Sequence, residues 1–159
     1  MASLPDEVLE LLRDPASVKL LATVDPDGTP HLAIRPSLTV LENGELAFAE
    51  ELDSSELSQD LVHAIWRDRR VTVGVSLGAT VWQIRARLWR CVITGPLLKR
   101  FLLLARAERG PDADISTVWV LRADDVRDDS PAVRRLEDAS RRPNAGSHLD
   151  RASLVRREA

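Results

Sequence analysis

Cys91 is the only cysteine in the chain, which excludes an internal disulfide and a cysteine-based zinc cage within one chain. Any redox chemistry would then come from a bound cofactor. Tyrosine is absent and phenylalanine occurs twice, so four tryptophans carry most of the aromatic surface. No uninterrupted apolar stretch approaches the roughly 20 residues that span a bilayer, and Met1 to Glu7 lacks the basic flank and apolar run of a signal peptide. A soluble, cytoplasmic protein is expected. Excess charge of one sign is also missing: 22 Lys and Arg stand against 25 Asp and Glu, a net charge of −3. That balance offers no field for a nucleic-acid backbone or an anionic membrane, and neither is expected as a partner. What remains is a 159-residue chain, 44% hydrophobic and free of 20 to 50 residue repeats, long enough for one sizeable core.

Turn and cap residues divide the chain. Pro5-Asp6-Glu7 opens a helix that Asp14-Pro15 stops. Val18 to Val24 reads as a strand, Asp25-Pro26-Asp27-Gly28 as a turn, and His31 to Leu41 as a second strand with a bulge or edge near Pro36. Asn43-Gly44 is the strongest hairpin signal and leads into a third strand, Glu45 to Ala49. Asp53-Ser54-Ser55 supply cap oxygens for an amphipathic helix carrying Leu57, Leu61, Val62, Ile65 and Trp66. Val71 to Leu77 and Val81 to Thr94 are the next strands. In the latter, Trp82, Ile84, Ala86 and Leu88 alternate with Gln83, Arg85 and Arg87. A helix from Leu97 to Arg109 follows Gly95-Pro96, Ile115 to Leu121 is a sixth strand, and a short helix is expected over Val133 to Arg141. The fold class is therefore mainly β with α, a six-stranded barrel with helical connections over residues 1–126. A charged extension, 127–159, is expected to pack on a partner subunit or to be partly disordered.

Three strings in this order resemble the flavin-binding split-barrel family, to which pyridoxamine 5′-phosphate oxidase belongs. Val18 to His31 is similar to its first hairpin, Arg67 to Val73 to its helix-to-strand passage, and Gln83-Ile84-Arg85-Ala86-Arg87 to its Gln-Val-Arg strand beside the flavin. The resemblance covers roughly Leu4 to Val126 and implies an FMN-binding split barrel, with the flavin between two chains of a homodimer. It also implies a flavin-dependent oxidoreductase or electron carrier. A departure stands where the family carries a basic Ser-Arg-Lys-Ala segment: here it falls on Gln59-Asp60-Leu61-Val62. The alternative is a split-barrel dimer that has lost flavin and binds haem or another small ligand.

Cofactor-binding candidates are Arg35, Ser37, Ser54, Ser58, Gln59, Gln83, Arg85 and Trp89. Arg35, Arg85, Arg87 and the serine hydroxyls can replace the missing cations around a phosphate. Gln83 and Arg85 share a polar strand face, and Trp89 follows them to stack on the flavin ring or fill a dimer seam. Asp60, if it lines the site, repels the phosphate; otherwise it is a solvated helix residue. Trp66 and Trp119 are read as core, Cys91 as a buried inert thiol, and His31 and His63 as structural. His148 sits in the polar tail, where it could reach a partner's cleft. No metal site and no catalytic acid, base or nucleophile is assigned.

Overall fold

Proline and carboxylates at its first turn start helix α1 (Asp6–Arg13), which buries Val8, Leu11 and Leu12. The computed structural model describes residues 2–142, and α1 is followed there by strands β1 (Val18–Val24), β2 (Pro30–Ile34), β3 (Thr39–Val40) and β4 (Leu46–Glu50). Helix α2 (Glu56–Trp66), strands β5 (Arg70–Leu77) and β6 (Thr80–Val92), helix α3 (Pro96–Arg109), strand β7 (Thr117–Asp128) and helix α4 (Pro131–Arg141) complete the order. One antiparallel sheet runs β2-β1-β5-β6-β7-β4-β3 and curls around a core that includes Leu12, Leu21, Phe48, Leu61 and Ile84.

Seven strands replace the six expected, and Pro36 is the reason. The Arg35 amide makes a last ladder bond to the Lys19 carbonyl (2.8 Å). Pro36 has no N–H to continue the ladder, and the Leu38 amide turns back onto the Arg35 carbonyl (3.0 Å). One predicted strand thus becomes β2 at one edge of the sheet and β3 at the other. The two tight turns form as the sequence requires, with Gly28 at φ 92° and Gly44 at φ 80°.

Strands β4 and β7 are buried on both faces because α3 covers their outer side, where Phe101 and Ala105 meet Ala47, Val118 and Val120. Strand β6 bends at irregularities between Arg85 and Ala86 and between Leu88 and Arg90.

Two core assignments need correction. Trp119 is buried, but Trp66 is 83% exposed. At about 100° per residue, Trp66 lies nine positions and so about half a turn away from Leu57. The buried stripe of α2 is Leu57, Ser58, Asp60, Leu61 and Ala64, leaving Val62 and Ile65 exposed as well. Cys91 is likewise exposed. Partial burial of its sulfur pushes the thiol above its ordinary value, with Thr117 pulling it back. No helix among the described residues is long and apolar enough to cross a membrane. His148 lies outside the described residues.

Candidate functional site

The break at Pro36 brings Arg35 and Ser37 against the end of β4. Arg35 donates from Nη2 to the buried Glu50 carboxylate (2.8 Å), while its Nε is buried without a partner. The Ser37 hydroxyl accepts from the Ala49 amide (3.1 Å), so Ser37 pins the crossing segment to β4. Both residues line a cleft of about 340 Å³ between the end of α1, the start of β1 and α3.

At the start of α2, Ser55 caps the helix by accepting from the Ser58 amide (3.0 Å). Ser58 is buried and donates to the Leu52 carbonyl (3.3 Å), and Gln59 donates to the Ser54 carbonyl (3.4 Å). These groups are spent on the helix itself, leaving Ser54 exposed. Glu50, Glu51, Asp53 and Glu56 carry four carboxylates around this end. Arg35 and Arg109 pair with Glu50 and Glu51, so Asp53 and Glu56 are the carboxylates left to disfavour a phosphate monoester beside the helix amides.

Gln83, Arg85 and Trp89 stand apart from that end, on the outer side of β6. Gln83 donates to Asp129 (2.9 Å). Arg85 is exposed and has no ion pair or hydrogen bond among the described residues. Trp89, at the second irregularity of β6, stacks under the Arg122 guanidinium, 3.4 Å from its ring centroid. The outer face of the sheet changes character along its rows. One row runs Ile34, Leu20, Gly74, Gln83, and the next Leu32, Ala22, Thr72, Arg85. Leu32 and Ile34 are 63% and 62% exposed. A Cβ at Gly74 would meet only Leu20, at an ordinary 3.7 Å, so its missing side chain keeps the middle of this face low without being forced by packing.

Against a flavin phosphate, the groups that fit are the orphaned Nε of Arg35 and the unpaired Arg85; the start of α2 does not fit. Within one chain the two arginines sit on opposite faces of the sheet, because Arg35 follows the inward alternation opposite the buried Lys19 while Arg85 continues the outer row.

One reading is overturned inside the barrel. Asp60 is 2% exposed, neither solvated nor free to face a phosphate. Its Oδ2 accepts from the Thr23 hydroxyl and meets His31 Nδ1, both at 2.9 Å. His31 therefore has the acidic neighbour that sequence spacing concealed, supplied by α2 from 29 residues away. Asp60 Oδ2 is thus shared between the Thr23 hydroxyl and the His31 ring. Lys19 was not foreseen either. Its position in an apolar strand reads as an outward-facing cation, whereas the fold buries it.

Beside Trp89, the buried Glu45 is bonded by Asn43 (3.0 Å) and Arg122 (2.8 Å). Burial pushes this carboxyl up, but those bonds more than offset it and hold it below its ordinary value. Arg70 (3.0 Å) and Arg87 (2.8 Å) do the same for Asp124. Depressed folded-state values mean stability that is present above the unfolded pKa and lost as pH falls through the folded one. The urea midpoint should therefore hold from pH 7 to about 5 and drop below about pH 4, near the ordinary carboxyl range. Asp124→Asn should flatten part of that drop, and an identical acid profile in the variant would remove Asp124 from the account.

No protein-family model and no curated protein matches the chain. Solved structures do. HupZ of Group A Streptococcus superposes with a TM-score of 0.64 at 11% identity, over 80% of this chain and 95% of that one. An FMN-binding protein of Syntrophomonas wolfei gives 0.61 at 14%, over 78% and 87%. A Lactobacillus delbrueckii protein named for pyridoxamine 5′-phosphate oxidase gives 0.60 at 21%, over 79% and 93%. At these identities the likeness establishes the fold alone: this chain has the split-barrel fold that these proteins share.

Proposed function

We propose that the protein is an FMN-binding split-barrel homodimer serving as a flavin-dependent oxidoreductase or electron carrier in the cytoplasm. The observation that carries this reading is the outer sheet face, where exposed Leu32 and Ile34 share rows with Arg85 and Gln83. An apolar edge beside a polar strip suits a second copy of the chain with a polar small molecule held at the seam. Two-fold pairing also lets Arg35 of one protomer and Arg85 of the other serve one phosphate, which a single chain does not allow. Gln83 offers an amide to the ring edge, and Trp89 with Arg122 supplies a flat cationic wall. The flavin, when bound, supplies the hydride or electron transfer; the chain binds, orients and shields it.

The acidic start of α2 favours a second reading, a split-barrel dimer that has lost flavin and binds haem or another small ligand. Visible absorption of the purified protein separates the two: a band near about 450 nm belongs to flavin, a Soret band or no band to the alternative. In FMN titrations, Arg35→Ala or Arg85→Ala should each weaken binding by about 1.5 to 3 kcal/mol, the scale of a hydrogen bond to a charged group. Unchanged affinity in both variants removes these residues from the phosphate.

A further inference from the structure

Helix α4 is the one described helix with no buried residue. Eleven residues make a marginal helix in water on their own, so its apolar side calls for a cover. One side is held by its own chain. The Ser130 hydroxyl accepts from the Val81 amide (3.0 Å), Arg134 pairs with Asp129 (3.6 Å) and Glu137 with Arg127 (3.0 Å), and Val133 and Glu137 are half-buried there. At about 100° per residue, the remaining side carries Ala132, Leu136 and Ala139. Leu136 is 72% exposed. This stripe is edged by Arg135 and Arg142, which have no ion pair among the described residues, while Asp138 lies beyond them, about 160° round from Leu136. An exposed leucine beside unpaired arginines fits an exposed apolar group flanked by carboxylates.

The start of α2 has that pattern: Leu52 is 63% exposed, and the exposed Asp53 and Glu56 have no ion pair among the described residues. The two surfaces do not meet within one chain. Glu50, two residues before Leu52, lies opposite Thr117 at the start of β7, whereas the Arg127–Glu137 pair holds α4 beside the far end of that strand. At about 3.3 Å per residue, Thr117 and Arg127 are about 30 Å apart. We propose that α4 docks on a second copy of this chain, with Leu136 against the partner's Leu52 and Arg135 and Arg142 facing the partner's Asp53 and the partner's Glu56. Two-fold symmetry makes the contact twice, the α4 of each protomer reaching the other. Carboxylates that disfavour a phosphate at this end suit a basic helix instead. The proposal rests on the homodimer of the preceding reading and is independent of its flavin.

Cross-linking of the full chain tests this in a Cys91→Ser background. Leu52→Cys combined with Leu136→Cys should give a disulfide-linked dimer on oxidation, and neither cysteine alone should. Both side chains are mostly exposed, so the variants should fold. Arg135→Glu or Glu56→Lys should each raise the dimer dissociation constant at least about tenfold, because each change acts twice in a two-fold dimer, and combining the two should restore most of the loss. Sedimentation of the parent chain reads the homodimer separately. A parent dimer whose cysteine pair gives no cross-link or an intrachain one, or whose dissociation constant is unchanged by both reversals, would overturn the docking and leave the homodimer standing. A parent that sediments only as a monomer would overturn both.

Discussion

Replacing Asp60 by Ala is expected to lower the unfolding free energy by about 2 to 4 kcal/mol, measured as a shift of the urea midpoint at pH 7. The carboxylate is the shared acceptor for the Thr23 hydroxyl and His31 Nδ1, and Thr23 is itself buried. Truncation leaves two donors facing a dry hole, each costing about 1 to 3 kcal/mol, with His31 at the lower end because water can reach part of its ring. Asp60→Asn keeps an acceptor oxygen and should cost less than half as much. Asp60→Lys would test phosphate repulsion if the position faced a ligand; inside the barrel it places an ammonium where the fold holds an anion, and loss of folding is the expected result. A loss under about 1 kcal/mol in Asp60→Ala would show that the Thr23 and His31 contacts are replaceable by water.

The difference between those two outcomes marks what the sequence could disclose. Periodicity and turn chemistry are local, so the Asn43-Gly44 hairpin, the Ser55 cap and the alternation of β6 were legible from residues close together in the chain. The fold class followed, because the order of strands and helices limits how one sheet can close. Pairings across the barrel leave no local trace. Nothing near Gln59 in sequence announces that Asp60 meets His31, or that the carboxylates around the start of α2 displace the family's cations. Trp66 misled for a related reason: an aromatic at the end of an apolar helix reads as core until the helix phase is fixed by what α2 packs against. Lys19 shows the same limit from the other side, since a lysine inside an apolar strand looks like an outward-facing residue until α1 and α3 close over it.

The double change Leu32→Asp with Ile34→Asp should convert the proposed dimer into a folded monomer. Both side chains are mostly exposed on the isolated chain, so the substitutions remove little internal packing and the circular dichroism spectrum and thermal midpoint should stay close to the parent's. At a two-fold interface each side chain is buried twice. With about 1.5 kcal/mol for each apolar side chain, the lower end of the usual range, the two changes forfeit about 6 kcal/mol, or about four orders of magnitude in the dimer constant. Four carboxylates brought together without cations add repulsion to that loss. Sedimentation at micromolar concentration reads the result directly, and a variant that remains dimeric places the interface on another face. Flavin content should fall with the dimer, because Arg35 and Arg85 on opposite sides of one sheet can meet the same phosphate only from two chains. A monomer that still binds FMN with parental affinity would locate the flavin within a single protomer. The shared-phosphate arrangement would then give way to one in which the cleft beside α3 or the outer row acts alone.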